Sequence, residues 1–200
     1  MTINTTTDPT ARYAGQLIQL IQQTPWLMAA LRAVRDLALP DGCIGAGTLR
    51  NLVWDHLHDY PTLPSPLSDV DVVYFEPGDL SSGRDHALQQ HLQQLLTDLQ
   101  WEVTNQAGVH LWFAAEFGHA VPPLRSIEDA IASWPEPATA VAVALQVDDT
   151  LRLIAPLGLD DLFAMRIQRN PARVSVATYR QRLAQKRYAA RWPQVSIHHE

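Results

Sequence analysis

Two aspartates lie two residues apart in the stretch SDVDVVYFEP, residues 68–77, which is otherwise rich in valine and aromatic residues. This composition predicts a β-strand. Because alternate side chains of a strand point to the same face, Asp69 and Asp71 share one face, with Cα atoms roughly 6.5–7 Å apart. Two carboxylates at that spacing can converge on one Mg²⁺ or on two ions, as in nucleotidyl transfer. A strand end in solvent is the alternative interpretation.

A glycine turn precedes this strand in the chain. The stretch IGAGTLRN, residues 44–51, predicts a short strand, a turn at Gly45 and Gly47, and a helix that begins near Thr48. Glycines let backbone N–H groups approach an anion, and a helix N-terminus favours phosphate. Thr48 can cap the helix or contact a phosphate, and Arg50 fits the role of a phosphate clamp. Many such turns only connect elements, but a glycine turn followed by an Asp-x-Asp strand is a more specific combination.

These stretches resemble the nucleotidyltransferase superfamily, which shares the polymerase β fold and places a glycine-containing helix start beside a strand bearing Asp-x-Asp. Five blocks between residues 47 and 171 look more narrowly like an uncharacterised bacterial branch of nucleotidyltransferase-like proteins: GTLRNLVWD, LSDVDVVYF, NQAGVHLW, APLGLDDLF and RNP. The blocks cover most of the chain. The resemblance therefore predicts the fold as well as the chemistry.

The resemblance implies that Asp69 and Asp71 are the catalytic, Mg²⁺-binding residues, with two ions as one option. An acceptor hydroxyl on a small molecule or protein would attack the α-phosphate of a nucleoside triphosphate in line, and pyrophosphate would leave. A catalytically inactive protein that binds a nucleotide or a partner is the alternative. The expected nucleotide-binding residues are Gly45, Gly47, Thr48, Arg50 and Asn51.

A third carboxylate is expected on a neighbouring strand and is needed to decide between these two functions. Glu102 is the candidate by position, with His110 and Glu116 as weaker ones. Asn105 and His110 can also line the site, although a structural hydrogen-bonding role for Asn105 at a strand bend fits equally well. The chain departs from the superfamily pattern in two further ways. Thr48 stands where serine or glycine is usual, and a proline-rich segment separates Gly47 from the aspartates.

Composition and charge limit the class of protein. The chain has 46% hydrophobic and 18% charged residues, which is typical of a globular protein, and its single cysteine excludes an internal disulfide and cysteine-rich zinc sites. No apolar run approaches the ~20 residues of a membrane span, and the polar N-terminus lacks a signal-peptide pattern. We therefore expect a cytoplasmic protein without a membrane partner.

The net charge of −6 is distributed unevenly, because residues 162–199 contain eight of the 15 Lys and Arg residues and no acid. Such a segment indicates an intramolecular partnership with the acidic body, an anionic ligand such as a polyphosphate, or a solvated helix face. Nucleic-acid binding is the least favoured function, because aromatic residues are sparse there and the whole chain is acidic.

Strand and helix patterns alternate along the chain. They predict an α/β (α+β) fold with a mixed nucleotidyltransferase-like β-sheet flanked by helices, and with extra helices at both ends. We expect a loose tail at residues 1–9 and a single domain at 10–200. Within it, residues 41–165 form the core and residues 166–200 a basic helical segment.

Overall fold

The structure, a computed structural model, describes residues 9–64 and 69–199. The predicted loose tail lies outside these residues except for Pro9, which begins the first helix. Residues 65–68, the last four of the proline-rich segment PTLPSPLS (61–68), also lie outside them. Within the described residues, no helix is both long enough and apolar enough to cross a membrane.

The chain forms nine α-helices and seven strands within the described residues. The helices are α1 Pro9–Gln22, α2 Pro25–Asp36, α3 Gly47–Leu57, α4 Ser82–Leu95, α5 Val109–Phe117, α6 Ile127–Ala132, α7 Asp160–Phe163, α8 Val176–Lys186 and α9 Tyr188–Arg191. The strands are β1 Cys43–Gly45, β2 Val70–Tyr74, β3 Trp101–Asn105, β4 Ala142–Leu145, β5 Leu151–Ile154, β6 Arg166–Ile167 and β7 Ser196–Ile197. Two 3₁₀ turns cover Gln106–Gly108 and Pro137–Thr139.

Five strands form one sheet in the order β3-β2-β1-β4-β5. Strands β2 and β3 are parallel, and the other neighbours are antiparallel. The sheet is therefore mixed, and the predicted fold class is confirmed. In the register, Asp71 lies opposite Gly45 of β1 on one side and opposite Glu102 of β3 on the other. The topology thus brings the glycine turn, the aspartate strand and the candidate third carboxylate together.

The sequence of residues 101–118, WEVTNQAGVHLWFAAEFG, predicts two short strands or one bent strand with a break at Gly108, but only its first part is a strand. The residues after Gly108 form α5, in which Val109 and Phe113 are the buried residues. Their spacing of four is the helical repeat, so a single narrow face packs on the body. Leu111 and Trp112 on the remaining surface are 63% and 46% exposed. A uniformly apolar sequence such as VHLWFAAEF cannot reveal this periodicity, which explains the wrong expectation.

The C-terminal segment is helical only in part. Helices α8 and α9 lie between β6 and β7, which pair in parallel as a separate two-stranded sheet. The main hydrophobic cluster contains Leu17 near one end of the chain and Val195 near the other. A shared core of this kind is what a single domain requires. The exact division into a core and a basic segment stays a prediction.

Candidate functional site

Asp71 is fixed by the first residue of α3. The backbone N–H of Gly47 donates a hydrogen bond of 3.0 Å to Asp71 Oδ2. A Cβ atom on residue 47 would lie 3.2 Å from the same oxygen, closer than most side-chain contacts. Glycine therefore allows the helix to approach the carboxylate. The Gly47 N–H is thus used by Asp71 and not by a ligand, and the N-terminus of α3 is directed at the Asp71 carboxylate.

Thr48 ties α3 to β2 from the other side. Its buried hydroxyl accepts a hydrogen bond of 3.1 Å from the backbone N–H of Asp71 and lies 3.5 Å from the carbonyl oxygen of Asp69. Threonine provides the same hydroxyl as the serine that the superfamily usually has here. The hydroxyl holds the aspartate strand in register with the helix start.

The turn between β1 and α3 is strained, and its first glycine serves packing. Ala46 has φ 49° and ψ −122°, a conformation that L-residues avoid at a cost of about 1–3 kcal/mol, and its N–H donates to the carbonyl of Val141. A Cβ on Gly45 would lie 2.8 Å from both Ala142 Cβ and the Val141 carbonyl oxygen. Gly45 is thus required by contact with β4, whatever it does for a ligand.

Asp71 carries an unfavourable charge. Burial, with the neighbouring carboxylate of Glu102 as a second cause, raises the pKa of Asp71 to about 6, although Arg50, the Gly47 N–H and Lys186 act in the opposite direction. Glu102 is exposed and lies directly beside Asp71 in the sheet. A cation placed between the two carboxylates would remove the repulsion and keep Asp71 ionised.

Asp69 lies at the exposed entrance of β2. It lines a cavity of about 100 Å³, together with Thr48 and Asn51 of α3. Within the described residues, no three His, Cys, Asp or Glu side chains lie close enough to hold a metal ion by themselves. Mg²⁺ is usually held by one or two carboxylates, waters and substrate phosphates. The oxygen donors of Asp69 and Asp71 therefore fit this ion, and the role of Glu102, opposite Asp71 in the sheet, stays a prediction.

Arg50 points into the protein. Only 5% of the residue is exposed, and its guanidinium lies over the rings of Tyr188, Trp54 and Trp192, at 4.9, 5.6 and 5.8 Å from their centres. It donates to Asn51 Oδ1 at 2.8 Å, while its buried Nε has no hydrogen-bond partner among the described residues. Burial lowers the pKa of Arg50. Its role as a phosphate clamp stays a prediction. The aromatic rings around the guanidinium limit its access to a phosphate.

The C-terminal helices complete the surroundings of Arg50. Glu136 is fully buried and accepts hydrogen bonds from Arg182 Nε at 2.5 Å, from the Thr139 hydroxyl at 2.9 Å and from the Tyr188 hydroxyl at 3.4 Å. Although burial lowers the pKa of Arg182, the charges and hydrogen bonds of Glu136 and Tyr188 together raise it by more. This contact anchors α8 to the body.

A second contact anchors α9. Asp55 of α3 accepts hydrogen bonds from Arg191 at 2.7 Å and from the Trp192 indole at 2.8 Å. The charge asymmetry of the sequence was the signal for both contacts, because it indicated an intramolecular partnership. It could not identify the individual partners.

Asn105 and His110 were also expected to line the site. Asn105 is at the far end of β3 from Glu102, opposite Tyr74. Its carboxamide donates to the carbonyls of Glu76 and Asp79 and accepts from two backbone amides. Asn105 therefore has the structural role that the sequence left open. His110 follows on α5, and its predicted role at the site stays a prediction.

Comparison with known families agrees with this geometry. A nucleotidyltransferase family profile matches residues 32–197. Because the match covers most of the chain, the protein belongs to the nucleotidyltransferase family. No curated protein sequence matches the chain significantly.

Solved structures with the same fold support the assignment. One is an NMR structure described as revealing a CCA-adding enzyme head domain; it has 26% sequence identity and a TM-score of 0.78, and the alignment covers 93% of this chain and 96% of that one. Two apo forms of a CCA-adding enzyme match at TM-score 0.54, with 13% and 14% identity over 90% of this chain. The chain aligns with less than half of those longer chains, 42% and 44%, so these two show the fold alone.

Proposed function

We propose that the protein is a Mg²⁺-dependent nucleotidyltransferase that moves a nucleoside monophosphate from a nucleoside triphosphate to the hydroxyl of a small-molecule or protein acceptor. The observation that carries the proposal is the environment of Asp71. This largely buried carboxylate has one N–H donor and a second carboxylate beside it, at the N-terminus of a helix. Such a group is poised for a cation.

In the proposed reaction, the acceptor oxygen bonds to the α-phosphorus while the bond from that phosphorus to the bridging oxygen breaks. Pyrophosphate leaves and the hydroxyl proton is released. Mg²⁺, when bound, would neutralise the phosphate charge and orient the two oxygens. Asp69 and Asp71 would hold it, and Glu102 would assist.

The chain's own residues fix the geometry of this site. The Gly47 N–H and the Thr48 hydroxyl hold the side chain and backbone of Asp71 in place. The N-terminal turn of α3 supplies a favourable field for the phosphates. Asn51 lines the same cavity as Thr48 and Asp69 and would contact the nucleotide there.

A thermal-shift screen of the four nucleoside triphosphates, with and without Mg²⁺, tests nucleotide binding. We expect at least one to raise the melting temperature in a Mg²⁺-dependent way. Labelled triphosphate should then give pyrophosphate or a labelled adduct, and Asp69→Asn combined with Asp71→Asn should reduce turnover by about 10³-fold or more. Asp160→Asn, at the exposed start of α7, is the matched control. Unchanged Mg²⁺-nucleotide affinity in the double variant would refute the site assignment.

A binding protein without catalysis is the second candidate. It is favoured by one observation, namely that no set of three metal-binding side chains converges within the described residues. It predicts Mg²⁺-dependent nucleotide binding that requires Asp71, without pyrophosphate release for any acceptor in a broad panel. Pyrophosphate release that requires both aspartates would exclude it.

A further inference from the structure

The end of α8 is fixed beside the candidate site from two directions. Arg182, one helical turn before Lys186, is paired with the fully buried Glu136. Tyr188, two residues after Lys186, lies with its ring 4.9 Å from the guanidinium of Arg50. Both flanking residues are therefore tied to the side of the body that holds Arg50. The backbone of Lys186, between these two residues, is therefore held on the same side of the body.

Arg50 connects this cluster to Asp71. Its Nη2 lies 3.6 Å, and Asp71 Oδ2 lies 3.2 Å, from the position that a Cβ on Gly47 would occupy. The guanidinium of Arg50 and the carboxylate of Asp71 thus meet at the start of α3, and Lys186 at the end of α8 lies near enough to interact electrostatically with both. Unlike Arg50, Lys186 remains accessible to solvent, so a ligand at Asp71 can reach it.

The turn after Lys186 is strained. Arg187 has φ 47° and ψ 45°, a left-handed conformation that costs a residue with a side chain about 1–2 kcal/mol. Its N–H closes α8 on the carbonyl of Leu183 at 3.1 Å. The turn redirects the chain into α9, so that Tyr188 reaches Arg50 while Lys186 stays at the outer edge. Strained turns of this kind concentrate at functional sites.

The charges around Lys186 are unbalanced. Arg182 is already matched by Glu136, and Asp71 faces Arg50. Within the described residues, the side-chain ammonium of Lys186 has neither an ion pair nor a hydrogen bond, and it lies at the last residue of α8. Burial lowers the pKa of Lys186, and the positive charges of Arg182 and Arg50 lower it further. A partly desolvated cation beside other cations is stabilised by an incoming anion.

We propose that Lys186 binds the outer phosphates of the nucleoside triphosphate, so that the basic C-terminal segment supplies the phosphate contact that the enclosed Arg50 is poorly placed to make. Lysine suits this role because its ammonium acts as a compact charge with three rotatable donors. This inference rests on the proposed function, since it assigns one phosphate contact within that same site. It makes α8 part of the active site and not only a support.

The test compares Lys186→Gln, Lys186→Arg and the control Arg32→Gln, which removes an exposed charge from α2. Dissociation constants are measured for inorganic tripolyphosphate and for the Mg²⁺ complexes of a nucleoside tri-, di- and monophosphate. Losing one charge-assisted contact should weaken tripolyphosphate and triphosphate binding by about ten- to a hundredfold in Lys186→Gln. The loss should shrink toward the monophosphate, Lys186→Arg should retain most of the affinity, and Arg32→Gln should match the wild type.

The outcomes separate this inference from the proposed function. Loss of tripolyphosphate binding in Lys186→Gln, in a protein that never transfers nucleotide to any acceptor, would support the phosphate contact and count against the transferase. If Lys186→Gln binds tripolyphosphate and the nucleoside triphosphate as tightly as the wild type does, the inference is overturned, even if turnover is normal. A wild type that binds neither probe would overturn it as well. A lower melting temperature without weaker binding would identify Lys186 as structural and also overturn it.

Discussion

Two buried acids in this chain have opposite surroundings. Glu136 is fully buried, and its oxygens are satisfied by a guanidinium and two hydroxyls. The carboxylate of Asp71 accepts one backbone hydrogen bond, its N–H donates to the Thr48 hydroxyl, and another carboxylate lies beside it. A buried charge with full compensation stabilises one arrangement of the chain, whereas an under-compensated charge is retained at a cost. The contrast separates a structural acid from a functional one, and four experiments can test it.

Removing Glu136 should have the largest effect on stability. Glu136→Ala leaves Arg182 buried without its counter-ion and frees α8, so we expect the free energy of unfolding to fall by about 3–5 kcal/mol in urea titrations. Glu128→Ala is the control, because its ion pair with Arg152 is exposed and 3.5 Å long, and such pairs contribute about 0–1 kcal/mol. Similar losses in the two variants would show that the Glu136 contact is not a special anchor.

Replacing Asp71 should act in the opposite direction. Asp71→Asn removes a charge that burial and Glu102 disfavour, while the amide oxygen still accepts from the Gly47 N–H. Without Mg²⁺ or nucleotide at pH 7–8, we expect the free energy of unfolding to rise by about 1–3 kcal/mol. Mg²⁺-nucleotide should stabilise the wild type and not the variant. A destabilised Asp71→Asn protein would remove the distinction between the two acids.

The pH dependence of stability sharpens the comparison. The pKa of Asp71 in the folded protein is about 6, above its ordinary value of 3.8. The folded state therefore binds more protons in this window, and the Asp71 contribution to stability falls as the pH rises from about 4 to about 6. The gain from Asp71→Asn should accordingly be near zero at pH 4 and complete above pH 6. A pH-independent gain would mean that the substitution acts through packing and not through the charge.

The sequence predicted one of these acids and not the other, for a physical reason. Asp69 and Asp71 are visible because two carboxylates at strand spacing contradict a buried strand, and Gly47 precedes them at a helix start. Glu102 could be proposed because a parallel neighbour brings it into register. These are local patterns, and the mixed sheet that they predict is confirmed.

Long-range pairing explains what the sequence could not predict. Glu136 and Arg182 are 46 residues apart in the chain, and Asp55 and Arg191 are 136 apart, so no local spacing reveals either pair. Arg50 likewise has the sequence signature of a phosphate clamp, but the rings of Tyr188 and Trp192 that enclose it come from the far end of the chain. Local motifs can be identified from the sequence, whereas the residues that pair with a buried charge come from distant parts of the chain and are known only from the structure.

The smallest expected effect concerns the glycine that positions Asp71. In Gly47→Ala the new Cβ would lie 3.2 Å from Asp71 Oδ2, so the helix start or the carboxylate must shift by a few tenths of an ångström. We expect a loss of about 1 kcal/mol in the free energy of unfolding and a clear reduction in turnover. Gly83→Ala in α4 is the matched control, because nothing lies within 4 Å of its added Cβ, and better helix propensity should stabilise it by about 0.5–1 kcal/mol. If both substitutions stabilise the protein and turnover is unchanged, the approach of Gly47 to Asp71 has no functional role.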